Sequence, residues 1–392
     1  MFCTREESIL EKDHAAEGKP FVFNWGPGLF IIAYHAILLF GLPLYFFYCD
    51  TSSWGLVLFS TVLMYITGLS ITVGYHRLYS HAAYKLHPAV EAVIIFFGTM
   101  AAQGSAIRWS FDHRHHHAFV DTDRDPYSIN KGFWYAHFIW LFEKPKPIES
   151  TVVPDLMKNP LLRFQHKHYA LLMVLTNAMA VVFTGWVFKD YLGAVVFAFF
   201  VRMFFLHHFT WFINSLAHTW GSRHFSQEHS AVDNYIIAFL TFGEGYHNYH
   251  HTFASDYRNG IRWYHFDPSK WSIWLLHKLG LARQLKRVQR VQIEERLLLD
   301  RKRILLEKFP LAFQSQKEEW EKKISDLIDS VLLKLKQLRK LREEYLQMKK
   351  EKKGEKEPLQ NLKKEIKELK KLLAQEGKQW NVLSGELRNS CS

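Results

Sequence analysis

Residues 54–81 read WGLVLFSTVLMYITGLSITVGYHRLYSH. The stretch from Trp54 to Val73 carries no charge and is long enough to cross the hydrocarbon of a bilayer, which takes about 20 apolar residues. It then runs directly into His76-Arg77-Leu78-Tyr79-Ser80-His81. A membrane span therefore delivers two imidazoles to one membrane face. His76 and His81 are five positions apart, about 140° round an ideal helix, so they can meet only where the span ends or distorts.

Three further runs have the length and apolarity of spans: Leu29 to Cys49, Tyr169 to Phe188, and Tyr191 to Phe212. Only Asp50-Thr51-Ser52-Ser53 separates the first from the second, and almost nothing separates the third from the fourth, so the spans form two tight hairpins. A shorter run, Ala89 to Ala102, reads as a buried or interfacial helix. Two hairpins put the N-terminus, the segment Gly74 to His168 and everything beyond about Asn214 on one face. That face holds almost all the Lys and Arg, which makes it cytosolic by the positive-inside rule. A soluble all-helical protein is the alternative, and four such runs paired by such short turns argue against it. The segment Met1 to Pro27 is polar with both charge signs, and no cleavable signal peptide is read before the first span.

The chemistry lies in the histidines, 22 in all. Beyond His76 and His81 stand His113-Arg114-His115-His116-His117 and His247-Asn248-Tyr249-His250-His251, with Asn214-Ser215-Leu216-Ala217-His218 closing the fourth span. Positions i, i+3 and i+4 share a helix face. His113, His116 and His117 can thus converge, as can His247, His250 and His251, while His115 falls off that face. All these groups lie at the cytosolic ends of the spans. Neutral imidazole suits iron, zinc or copper. The three cysteines, Cys3, Cys49 and Cys391, have no paired spacing that would support a disulfide framework or a thiolate site. Nine imidazoles exceed the four ligands of a structural zinc and suit two ions with open positions for O2.

These boxes resemble the membrane fatty acyl desaturases of the stearoyl-CoA (Δ9) type, over roughly residues 20 to 280. The resemblance rests on the His76–His81 gap, the two His-x-x-His-His boxes, Asn214 to Gly221, and Gly243-Glu244-Gly245-Tyr246 before His247. It implies four transmembrane helices capped by a cytosolic helical domain that holds a di-iron centre. It implies O2-dependent insertion of a cis double bond into a long-chain acyl-CoA. One iron would take His76, His81, His113, His117 and His250; the other would take His116, His218, His247 and His251, with Asn214 acting through a water. Trp211, Asp112 and Lys144 resemble residues at the acyl and CoA entrance. Met64 and Gly68 resemble the far wall of the acyl tunnel. Phe111 stands where much of the family has Arg, so one CoA contact is absent or replaced, which favours acyl-lipid or carrier-linked substrates as the alternative. Some members carry a fused cytochrome b5 domain, and this chain has no such haem motif.

Asp112, Asp121, Asp123, Asp125 and Glu244 are candidates to orient the imidazoles from behind. The chain has no dinucleotide turn, haem motif or Cys cluster to supply electrons. A separate donor is expected, a cytochrome b5-type protein or a ferredoxin with its reductase. A di-iron hydroxylase is the nearest rival enzyme; such hydroxylases usually show a shorter gap in the first box. A membrane metal carrier is the rival outside enzymes, but beyond His35, Arg202, His207 and His208 the spans offer it few polar groups.

The last hundred residues differ in kind. Residues 281–392 hold 29 of the 50 Lys and Arg but 18 of the 38 Asp and Glu, a surplus of +11 within a total of +12. Ile324, Ile328, Val331, Leu335 and Leu338 step by 4-3-4-3, a short heptad seam. Gly354-Glu355-Lys356-Glu357-Pro358 breaks the helix, and Leu359, Leu362, Ile366, Leu369 and Leu373 form a second stripe. An antiparallel hairpin or a coiled coil between copies is expected. Basic stretches such as Lys349 to Lys353 suit anionic lipid or an acidic donor, but a merely solvated helix face accounts for them better. No nucleic-acid partner is expected. The chain thus reads as an all-α membrane protein with a cytosolic segment (1–27), a four-span domain (28–283) and a helical tail (284–392). It belongs in a bacterial inner membrane or an endoplasmic reticulum.

Overall fold

The computed structural model describes residues 21–49, 52–307, 314–350 and 356–390. Most of the expected N-terminal segment, and Asp50 and Thr51 of the first hairpin tip, lie outside them.

Four helices are long and apolar enough to cross a membrane: Trp25–Tyr48, Trp54–Ser80, Tyr169–Phe188 and Tyr191–His218. The second and fourth run further than their apolar stretches, because each continues into its histidine element. They are also the central pair. Of their apolar windows, 56% and 39% are buried, against 17% and 22% for the first and third. The outer spans turn Leu39, Phe40, Phe47, Leu171, Val174 and Val182 outward, as lipid-facing residues must be. The short apolar run is the helix Pro88–Met100, which packs against the second and third spans.

The two hairpin tips touch. Ser53 caps the second span by accepting from Leu56 N–H at 3.2 Å, and Ser52 Oγ donates to Asp190 Oδ2 at 2.6 Å. Asp190 in turn accepts from Gly193 N–H and so caps the fourth span. Both tips therefore lie at one end of the bundle and the histidine elements at the other.

Inside the bundle, Arg202 is fully buried. Its Nε–H donates to Ala198 O at 2.7 Å, and its Nη groups reach Met100 O and, by a short contact, Asn177 Oδ1. One guanidinium thus ties the third and fourth spans to the end of the Pro88–Met100 helix. With no water in the apolar interior, these donors have to find protein acceptors.

The tail is three helices: Arg290–Glu307, Gln314–Lys350 and Lys356–Ser390. Residues 351–355, most of the expected break, lie outside the described residues, and Pro358 falls in the first turn of the last helix, where its missing N–H costs nothing. Every member of the Ile324–Leu338 seam is buried. Leu369 packs near Val331, Leu335 and Leu338, while Trp380 packs near Ile324 and Ile328. That order is antiparallel, so the seam is filled within one chain. Lys334 Nζ donates to Glu376 Oε1 across it at 2.7 Å. Leading into the tail, residues 284–289 still run along the body: Lys286 N–H donates to Ala83 O, and Val288 N–H to Asp256 Oδ2. Just before them, Ala282–Arg283 pairs antiparallel with Lys85–Leu86.

Arg202→Ala is expected to destabilise the membrane bundle by about 2–3 kcal/mol, since it leaves buried acceptors unpaired. The check is a lower midpoint in a thermal melt of the detergent-purified protein.

Candidate metal centre

Nine imidazoles form two groups. His76, His81, His113, His117 and His250 make the first, and His116, His218, His247 and His251 the second; within each group, one ligand atom per residue lies within 4.8 Å of every other. These are the two sets that the family resemblance implies.

The local backbone explains the convergence. The last part of the second span, Ser70–Ser80, winds as a wide helix with i→i+5 bonding. His81 N–H continues this pattern to His76 O at 3.2 Å. A helix bonded i→i+5 brings residues five apart onto adjoining turns, and the His76 and His81 rings stand 4.9 Å apart. The helix Ala106–Phe119 is regular, so His113 and His117, at i and i+4, face the first group while His116 faces the second. The helix His247–Thr252 does the reverse: His247 and His251 serve the second group and His250 the first. The groups share a wall where His117 stacks on His251 at 4.2 Å. His115 belongs to neither; it stacks on Phe111 and packs against Phe119.

The donor set fits bound cations. His76 Nε2 lies 3.0 Å from His250 Nε2, which is itself 3.0 Å from His117 Nε2. His116 Nε2 lies 3.2 Å from His251 Nε2. Behind these rings, His116 Nδ1 meets Asp125 Oδ1 and His76 Nδ1 meets Glu244 Oε2, each at 2.9 Å. At His116 the carboxylate meets Nδ1 in a hydrogen bond, which holds the proton there and leaves Nε2 as a lone pair aimed inward. His218 Nε2 is buried with no hydrogen-bond partner, while its Nδ1 meets Ser230 Oγ at 2.6 Å. Lone pairs facing one another in a dry interior cannot all be satisfied by protein donors, but a cation satisfies them together.

Protonation is suppressed as ligation requires. Burial, and then the neighbouring imidazoles, push His81, His113, His117, His247, His250 and His251 well below the usual imidazole range. Burial alone would raise the Glu244 carboxyl, but Arg77 and His76 beside it hold it below its ordinary value. Arg77 is itself buried between Glu244 (2.8 Å) and Asp267 (2.9 Å). Asp267 also accepts from the backbone N–H groups of Asn259, Gly260 and Lys270. This Arg77–Glu244–Asp267 network anchors His76. Sequence reasoning proposed Glu244 and Asp125 but missed Asp267, Ser230 and the role of Arg77, because nothing in their spacing marks them.

The other sequence-derived candidates are dispersed. Asn214 stands at the end of the fourth-span helix, four residues before His218. Trp211 is buried rather than interfacial, packed with His207, His208, His137 and Phe138. Asp112 is held by a two-pronged contact from Arg108, whose Nη1 also donates to Lys146 O. Lys144 is exposed beside that segment, its N–H bonded to Val22 O. Met64 and Gly68 lie in the core near Phe242, and a Cβ at Gly68 would overlap the Phe242 ring. Phe111 is 1% exposed and lies in the same core. Arg108 stands over the Phe111 ring, its guanidinium carbon 4.8 Å from the ring centre.

Residues 52–278 match the family model described as Fatty acid desaturase. The chain belongs to the fatty acid desaturase family. Among its desaturase relatives, Acyl-CoA desaturase 1 of Saccharomyces cerevisiae is 39% identical over 301 residues, covering 75% of this chain and 59% of that protein. The sn-1 stearoyl-lipid 9-desaturase of Anabaena variabilis is 34% identical over 281 residues, 71% of this chain and 99% of that one. Stearoyl-CoA desaturase 5 of Bos taurus is 34% identical over 245 residues, 59% and 71% respectively. The chain thus spans about three-fifths of the length of the yeast relative, and the tail lies beyond the family match.

Two outcomes test this desaturase centre. Asp125→Asn should weaken metal retention about 10–100-fold, the usual effect of losing a carboxylate behind a ligating imidazole, as read by competition with a chelator. Chelator-treated protein should also lose stability as pH falls below about 6.5, where the unfolded chain takes up protons that the folded imidazoles refuse. A melting midpoint unchanged between pH 7 and pH 5 would contradict the sign.

Proposed function

We propose that this desaturase introduces a cis double bond, at the Δ9 position, into a long-chain saturated acyl-CoA, using O2 and two iron ions held by the nine imidazoles. The observation that carries the reading is the pair of buried imidazole groups sharing one wall. What supports the substrate class is the likeness to relatives named as acyl-CoA and stearoyl-CoA desaturases. A lipid-linked acyl chain is the second reading, favoured by the likeness to a stearoyl-lipid desaturase matched over nearly its whole length.

A bound iron pair supplies the activation of O2 that removing hydrogen from an unactivated methylene demands. The chain's own residues do the rest. Asp125 fixes the tautomer of His116, Glu244 stands beside His76, and burial keeps the imidazoles neutral. Asn214 acts on the second position through a water. Met64 and Gly68, against which Phe242 packs, limit acyl length, and Trp211 lines the acyl path. Asp112, Arg108 and Lys144 form the polar entrance. The two electrons needed per turnover come from a separate cytochrome b5-type or ferredoxin donor. Both termini and the centre face the cytosol of a bacterial inner membrane or endoplasmic reticulum, a reading supported by the excess of Lys and Arg in the segments outside the two hairpins. Residues 28–283 form the catalytic domain, and the tail from 284 serves contacts with the donor, with anionic lipid or with another copy.

The deciding experiment measures iron per chain in the purified protein and assays 18:0 conversion with electrons supplied. About two irons and an 18:1 product lighter by two hydrogens are expected. Zinc alone with no unsaturated product would refute the reading, and a product heavier by one oxygen would make the enzyme a hydroxylase.

A further inference from the structure

The tail lies beyond residue 278, where the family match ends, yet one of its helices leans on the support of the metal centre. In Arg290–Glu307, Val291 and Leu298 pack with Val331, Leu335 and Leu338 of the tail seam. Arg296, Asp300 and Arg303 step by four and three, and fall on the other side of that helix. This second side meets the loop at 225–231. Asp300, only 8% exposed, accepts from Gln227 N–H at 3.2 Å, and Arg296 and Arg303 pair with Glu228. Glu228 and both arginines are partly exposed, so these pairs add little. The buried carboxylate of Asp300 is the firmer hold.

The loop in turn stands behind His218. Ser230 Oγ–H donates to Asp121 Oδ1, and Ser230 N–H donates to Asp121 Oδ2 at 2.6 Å. With its one proton given to Asp121, the Ser230 hydroxyl can only accept from His218 Nδ1–H, 2.6 Å away. His218 is thereby held as the tautomer whose Nε2 is a bare lone pair, and that nitrogen is buried with no hydrogen-bond partner. Asn248, on the His247–Thr252 helix, fastens other parts of the loop. Its Oδ1 accepts from Phe225 and Ser226 N–H, and its Nδ2 donates to Ser226 O and Ala231 O. His229 lays its ring against His251, 5.2 Å between centres, but is not among the ligands of that group. The loop therefore covers the second position without entering it, and Gln227 and Glu228, between the other ties, are met from the tail.

We propose that the first tail helix braces the second metal position: Asp300 fixes the 225–231 loop, and the loop fixes His218 through Ser230. Asp300 is then a positioning residue, since it acts through Ser230 rather than on a ligand. The inference rests on reading the two groups as metal sites. It gives the tail a part in the centre besides any contact with a partner.

The test titrates Co(II) into full-length, chelator-treated protein in detergent, reading the affinity and visible band of each site. The unaltered chain should bind two equivalents. Ser230→Ala should weaken one class of site about 10–100-fold, as losing a partner behind a ligating imidazole does, and so marks the position that holds His218. Asp300→Ala should weaken that same class several-fold, up to about tenfold, and leave the other class as it was. Asp300→Asn keeps an acceptor oxygen for Gln227 N–H and should retain the unaltered affinity. The double variant should bind no more weakly than Ser230→Ala alone, because one residue acts through the other. Without metal, amide hydrogen exchange at Gln227 and Glu228 should quicken in Asp300→Ala. An Asp300→Ala chain that keeps both affinities, loses both alike, or shows a loss that multiplies with that of Ser230→Ala overturns the proposal. If the unaltered chain binds fewer than two ions, the reading of the centre itself fails, and the brace with it.

Discussion

Lone pairs aimed at one another across a dry interior repel, and much of this chain is arranged to hold them there. Nine imidazoles leave water at a cost that is recovered only if cations take up their nitrogens. The scaffold must therefore be rigid before the ions arrive. It draws on the end of one span, the end of another and two short helices, elements far apart in sequence. Each ring meets its counterparts through one nitrogen, and several are fixed from behind through the other.

The rigid backing is ionic where it is deepest. Arg77 follows directly after His76, and its guanidinium is buried between Glu244 and Asp267. A buried ion pair is a weak source of net stability, because desolvation offsets most of the attraction. What it secures is position. Glu244 cannot swing away from His76 without taking from Arg77 one of its two carboxylate partners, and Asp267 is pinned by three backbone N–H groups. The wide turns at Ser70–Ser80 serve the same end, as they trade regular helical bonding for the placement of His76 and His81 on adjoining turns.

Spans and boxes were legible because their signals are periodic and local. Four apolar runs became four helices, and i, i+3, i+4 spacing placed the rings of two shorter helices outside the spans. The gap of five between His76 and His81 demanded a distortion without stating which, and a wide helix answers it. The tail seam was readable as a heptad, but whether it closed within one chain or between two depended on distant packing. Asp267 and Ser230 act from loops, where no periodicity ties a side chain to a target.

The split allegiance of the two box helices has a consequence of its own. Ala106–Phe119 gives two rings to the first position and one to the second, and His247–Thr252 gives one and two. Neither helix can be ordered for one ion and loose for the other. A change that shifts either helix therefore moves rings of both groups at once, and neither position can be remodelled without disturbing its neighbour.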